Sequence, residues 1–93
     1  MLHQNYPNPF NPSTTLRYEI PNQAQVTMDV YDLTGRHVTQ LVNEMQSPGV
    51  YEAHWIGRND VGQFVPSGMY LVRMCLVTNG QVSQQSMKIA LAK

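Results

Sequence analysis

Thr14-Thr15-Leu16-Arg17-Tyr18-Glu19-Ile20, closed by Pro21, is the stretch on which the fold turns. Leu16, Tyr18 and Ile20 alternate with Thr15, Arg17 and Glu19, a period of two that gives one apolar and one polar face. That pattern predicts a half-buried strand. The next segment repeats it: from Gln25 to Asp32, Val26, Met28 and Val30 face inward while Thr27, Asp29 and Tyr31 face outward. Leu33-Thr34-Gly35-Arg36 then supplies a glycine able to take positive φ, so a tight hairpin into a strand over Arg36 to Val42 is expected.

Working toward the C-terminus, Ser47-Pro48-Gly49 is a turn signal, and Val50 to Ile56 places Tyr51, Ala53 and Trp55 on one face. Trp55 is expected to be the largest core residue, with an indole N–H that needs an acceptor. Gly57 to Gly68 reads as a surface loop with room for a short extended piece at Gln63 to Val65. Met69 to Val77 alternates again, Tyr70, Val72, Met74 and Leu76 inward against Met69, Leu71, Arg73 and Cys75. Thr78-Asn79-Gly80 then signals a hairpin into a last strand over Gln81 to Leu91, with Met87, Ile89 and Leu91 inward. Six strands and a short seventh, punctuated by turns, predict an all-β chain folded as an antiparallel β-sandwich of about seven strands.

Toward the N-terminus the pattern changes. Pro7, Pro9 and Pro12 remove ladder donors and restrict the residues before them, so residues 1–13 are expected to be an extended lead-in. Phe10, and Tyr6 with it, would tuck against one edge of a sandwich formed by residues 14–93.

Composition bounds what such a chain does. Its 93 residues make one small domain with a single thin core, which disfavours a large enclosed active site. Six Lys and Arg balance six Asp and Glu, and 13% charged residues is well below the usual quarter. The chain therefore lacks the basic footprint of a nucleic-acid binder. Polarity comes instead from 27 Asn, Gln, Ser and Thr residues, which leans toward an exported protein. The longest apolar runs, Met69 to Val72 and Met74 to Val77, are far too short for a membrane span. Met1 to Gln4 shows no basic region followed by an apolar stretch, so the leader of an exported protein is expected on a longer parent chain. A single cysteine, Cys75, excludes an internal disulfide and a cysteine-rich zinc site.

Several motifs carry a family resemblance. Asn5-Tyr6-Pro7-Asn8-Pro9-Phe10-Asn11-Pro12-Ser13-Thr14-Thr15, followed by Leu16-Arg17-Tyr18, resembles the opening of the type A C-terminal sorting domains of the type IX (Por) secretion system. Val30-Tyr31-Asp32-Leu33-Thr34-Gly35-Arg36 is similar to that family's second hairpin, Trp55-Ile56-Gly57-Arg58-Asn59-Asp60-Val61-Gly62 to its glycine loop, and Ser67-Gly68-Met69-Tyr70 to the start of its penultimate strand. Lys88 and Lys93 stand where the family ends in a lysine-flanked apolar strand. The related Ig-like domain of flagellar hook-capping proteins shares the middle motifs.

The resemblance implies a non-enzymatic Ig-like β-sandwich on an exported cargo, read by the outer-membrane translocation and attachment machinery, with secretion or cell-surface display as the outcome. Pro9, Phe10, Gly35, Trp55, Gly57 and Gly62 would build it; Gly68, Tyr70, Lys88 and Lys93 would be the recognition residues. In one departure, Ile56 stands where many members carry an acidic residue, which removes a side-chain acceptor that could brace the glycine loop. The alternative is an accessory binding module, either carbohydrate-binding or a hook-capping-like assembly domain.

Reactive chemistry is weakly signalled. Asn59-Asp60 with Gly62 faintly suggests an oxygen-rich calcium loop, but calcium wants six to eight oxygens and usually several carboxylates. Turn chemistry, with Asp60 accepting from nearby backbone N–H groups, is the expectation, and no cofactor is implied. His3, His37 and His54 lack ligand spacing and are expected on the solvated surface. No nucleophile elbow or carboxylate pair singles out a reacting group. Among the aromatics of the strands, Tyr31 alone has the outward parity that suits a ligand.

Overall fold

The alternation of β1 (Thr14–Ile20) is reproduced in its burial: Thr14, Leu16, Tyr18 and Ile20 are buried, with half-buried or exposed residues between them. In the computed structural model, which describes residues 1–10 and 12–92, six antiparallel strands follow one another without a helix. They are β1, β2 (Ala24–Asp32), β3 (His37–Gln46), β4 (Gly49–Trp55), β5 (Gly68–Thr78) and β6 (Gln81–Leu91).

β1 and β4 pair as one sheet, and the second sheet has the order β3-β2-β5-β6. The core between them is built from inward positions such as Val26, Met28 and Val30 of β2, Val72 and Met74 of β5, and Ile89 and Leu91 of β6. Two contacts tie the sheets together: the Tyr18 hydroxyl donates to Gln46 Oε1 at 2.9 Å, and the Trp55 ring meets Tyr70 edge-on at 5.2 Å. The all-β antiparallel sandwich expected from the alternation, and its Ig-like form implied by the resemblance, are the observed fold.

The short extended piece expected at Gln63 to Val65 pairs back on the loop through the Arg58–Phe64 bridge, with Asn59 N–H donating to Gln63 and Val65 N–H to Gly57, each at 2.9 Å, and is too short to make a seventh strand. The open side of β1 is instead covered by the chain's own start. His3 N–H donates to Arg17 at 2.9 Å, and Tyr6 and Thr15 exchange both backbone bonds at 3.0 and 2.9 Å. Bridges at Leu2–Tyr18 and Tyr6–Thr15 mark this seam, with a one-residue shift of register between them. Three prolines obscure the ladder in the sequence, because alternation is hard to see in so short and broken a segment.

β3 also departs from simple alternation. Its pairing with β2 shifts between Met28 and Asp29 and again between Val30 and Tyr31, so Leu41 and Val38 are extra residues on β3. Each bulge flips the facing pattern. β3 therefore runs to Gln46, past the expected Val42, and buries only Val38 and Gln46.

At the other end, β5 and β6 pair without interruption from Gly68–Leu91 to Thr78–Gln81. Asn79 (φ 49°) and Gly80 (φ 79°) both take positive φ, the requirement of a type I′ hairpin. The first six residues of β6 are all exposed.

Candidate functional site

The opening segment crosses from one sheet to the other and locks onto the end of β6. Asn5, 3% exposed, donates from Nδ2 to the Pro7 carbonyl at 3.0 Å and to Thr14 Oγ1 at 2.9 Å, and that hydroxyl in turn donates to the Pro7 carbonyl at 2.8 Å. These bonds satisfy a buried amide and hydroxyl and hold the chain as it leaves β1. Tyr6-Pro7 and Asn8-Pro9 are cis. Asn8 Oδ1 then accepts the Ala90 N–H at 3.1 Å, and Phe10 runs parallel to the end of β6, donating to Ala90 and accepting from Ala92.

Phe10 is 1% exposed, and its ring packs 5.5 Å from Trp55. Tyr6 is the opposite case: expected to tuck in, it is 81% exposed beside Thr15 and Arg17. Its backbone is committed to the β1 ladder, and its side chain falls on the solvent face of that ladder.

Trp55 anchors the corner between Phe10 and Tyr70, and its indole N–H donates to the Arg58 carbonyl at 2.9 Å, pulling the following loop over the core. Gly57 opens that loop at φ 75°, and a Cβ there would stand 3.2 Å from the Pro12 carbonyl, so the position needs glycine on two grounds. The Tyr70 hydroxyl donates to the Pro66 carbonyl at 2.5 Å, four residues back, which is the tyrosine-corner arrangement of Ig-type sandwiches. Burial first, and then the negative Asp32, raise the Tyr70 phenol above its ordinary range. At 5% exposure Tyr70 presents almost nothing to a partner, so the recognition role expected of it becomes a packing role.

The loop is braced by Asn59, not by Asp60. Asn59 Oδ1 accepts the N–H groups of Val61 and Gln63 at 3.1 and 3.0 Å, and Gly62 N–H reaches the Asn59 carbonyl. Asn59 thus supplies the acceptor that Ile56 does not. Asp60 instead donates its N–H to Val38 and points its carboxylate toward His37 Nδ1 at 3.6 Å. The side-chain oxygen of Asn59 is spent on the turn, and among the described residues no group of three or more His, Cys, Asp or Glu is placed to hold a metal ion.

His37 also meets Asp29 at 2.8 Å, and the other histidines bond on the surface, His3 to Glu19 and His54 to Thr15, each at 3.0 Å. The β2–β3 hairpin is organised by Asp32, whose Oδ1 accepts from Thr34 N–H, Thr34 Oγ1 and Arg36 N–H. Those bonds, the Thr34 hydroxyl foremost, lower the Asp32 carboxyl below its usual value. Gly35 completes the turn at φ 90°.

Of the expected recognition residues, Gly68 and Lys88 are exposed at the start of β5 and near the end of β6, while Lys93 lies outside the described residues. Lys88 shares a shallow cleft of about 220 Å³ with Tyr31, Asp32, Leu33, Leu71 and Arg73. The Arg73 guanidinium lies 5.0 Å over the Tyr31 ring, so the aromatic expected to be free for a ligand is covered on one face. Sequence reasoning missed Asn5 and Thr14, and it gave the turn-bracing role of Asn59 to Asp60. Asn5 and Thr14 needed the three-dimensional seam to bring them together; Asn59 carried a readable signal, since an Asn side chain in a glycine-punctuated loop bonds the backbone N–H two residues on.

The architecture defines an Ig-like β-sandwich domain with a proline-rich strap across both sheets. The sequence model described as the FlgD Ig-like domain matches residues 10–80, and the chain belongs to that family. FlgD from P. aeruginosa is similar in structure, with a TM-score of 0.70 at 20% identity over 84% of this chain and 60% of that one. Dimeric latent PorU from Porphyromonas gingivalis is similar with a TM-score of 0.77 at 22% identity, over 97% of this chain and 9% of that one. The chain thus spans only part of either protein. No curated protein matches it.

Proposed function

We propose that this domain is a folded sorting module of an exported cargo protein, engaged by the outer-membrane type IX translocation and attachment machinery and acting by the surface it presents, without catalysis. The observation that carries the reading is the interlock of the opening segment with β6 through Phe10, Asn8, Ala90 and Ala92. Of the four residues in that interlock, only Phe10 falls within the FlgD match, which covers residues 10–80. The likeness to PorU takes in nearly the whole chain, where the FlgD match covers residues 10–80, and this wider extent supports the sorting reading. Secretion or surface display of the parent follows from it.

The second reading, a hook-capping-like assembly domain, is favoured by the family match over the middle of the chain. One experiment separates the two. The domain is fused behind a reporter bearing a Sec leader and expressed in a host with the type IX system and in the same host lacking it. System-dependent appearance of the reporter at the surface or in the medium is the expected result. Retention in the periplasm refutes the sorting role.

A further inference from the structure

Three strands end a sheet with an open side. β3 is protected by two bulges and by the Asp60 N–H on Val38. β4 is a seven-residue strand with Glu52 at its middle. β6 has less: its eleven residues hold no proline and no bulge, and its single charge, Lys88, stands toward one end and leaves residues 82–86 uncharged.

The direction of its free groups can be read from the strap. Ala90 C=O and N–H and Ala92 N–H all face away from β5, because they bond to Phe10 and Asn8. Uninterrupted pairing with β5 carries that parity back along the strand to Lys88, Ser86, Gln84 and Val82. Among the described residues no partner is recorded for the main-chain groups of these four positions. They form a straight row of donors and acceptors about 20 Å long.

The same four side chains lie on the outer face of the sheet, where Lys88 stands opposite Leu71 and Ser86 opposite Arg73. Arg73 and Lys88 are exposed, and neither makes an ion pair among the described residues. Two carboxylates are near. Asp29, in register with Arg73, has its Oδ1 held by His37 and Gln40, and Asp32, on the cleft that Arg73 and Lys88 line, has its Oδ1 held by the hairpin turn.

We infer that residues 82–88 of β6 form a strand-addition site for an extended, acidic peptide segment of a partner protein, its backbone pairing with the free edge and a carboxylate meeting Arg73 and Lys88. An unpaired ladder calls for a peptide, and two unpaired cations beside it call for an acidic one. A second copy of this chain would bring the same cations and leave them unpaired. The inference deepens the sorting reading by naming the surface and its ligand chemistry, and rests on that reading only for the partner's identity.

The test uses a fluorescein-labelled eight-residue peptide that alternates Val with Thr and Glu, and a counterpart with Lys for Glu. At saturation with the acidic peptide, amide exchange should slow at Gln84, Ser86 and Lys88 and stay unchanged at the odd-numbered residues already bonded to β5. The acidic peptide should bind about fivefold or more tightly than the basic one, and Arg73→Gln/Lys88→Gln should erase that preference. Ser86→Pro, which removes an outward N–H, should abolish binding; if it does not fold, the double variant decides.

Equal affinity for both peptides, or protection on β3 or β4, overturns the site. A dimer that protects the same amides without peptide overturns the choice of occupant. Surface delivery of the reporter by the Arg73→Gln/Lys88→Gln variant at the native level overturns the link to sorting. Peptide binding alongside a reporter retained in the periplasm refutes the sorting reading and supports the edge site.

Discussion

Replacing Tyr70 by Phe removes one hydroxyl and keeps the ring that packs on Trp55. The lost bond is the 2.5 Å donation to the Pro66 carbonyl that closes the loop against the start of β5. Pro66 itself is exposed, so water can take over its carbonyl, and the loss should sit near the lower range for a hydrogen bond, about 1 kcal/mol. With a urea dependence of roughly 1 kcal/mol per molar for a domain of this size, the midpoint should fall by about 1 M. The melting temperature should drop by about 4 to 8 °C. Equilibrium urea unfolding followed by Trp55 fluorescence measures this directly. The alkaline limb gives a second reading. The folded phenol is raised above 10.0, so its contribution is complete below that pH and is lost as pH rises through the folded value. Tyr70→Phe should therefore flatten part of the alkaline decline, the rest belonging to Tyr18, which burial also raises. A midpoint shift under about 0.2 M, with an unchanged alkaline limb, would refute the role given to the corner.

Phe10→Ala should destabilise the fold by about 3 to 5 kcal/mol, since a 1% exposed ring leaves a cavity beside Trp55; limited proteolysis should then cut the strap before the sandwich. Asn59→Ala should cost about 1 kcal/mol and speed amide exchange at Val61 and Gln63 while leaving the strands unchanged. Asp32 carries a carboxyl lowered from 3.8, so its contribution is present above that pH and is lost as pH falls through the folded value. Asp32→Ala should lower stability at neutral pH and flatten the acid limb of urea midpoints taken from about pH 5 down to about pH 2.

The positions that were legible share one property: each depends on residues close in the chain. Alternation placed β1, β2, β5 and β6, because a strand with one buried face writes its period into its own residues. Asn79-Gly80 announced its hairpin because the turn needs two positive φ values in succession. Trp55 announced its own need for an acceptor, and the structure supplies Arg58 three residues on.

What was not legible depends on partners remote in sequence. Tyr6 was misplaced because its facing is set by the bond pattern with Thr15, and the strap's pairing with β1 leaves no period across three prolines. The bulges of β3 slipped by because a bulge is a relation between two strands, visible only once β2 fixes the register. Tyr70 read as surface from its motif and as core from its parity, and the core reading holds because Trp55 and Pro66 close around it.

By itself, then, the sequence determined an all-β sandwich, most of its strands and turns, and the aromatic residues of its core. Tertiary structure alone decided that the opening segment straps both sheets, that Asn5 and Thr14 are pinned beneath it, and that β6 keeps an open edge bordered by Arg73 and Lys88. The physical reason is the range of the interactions. Burial period and turn chemistry act over two to four residues, whereas the strap joins Asn8 to Ala90 across the length of the chain, and only folding brings such residues together.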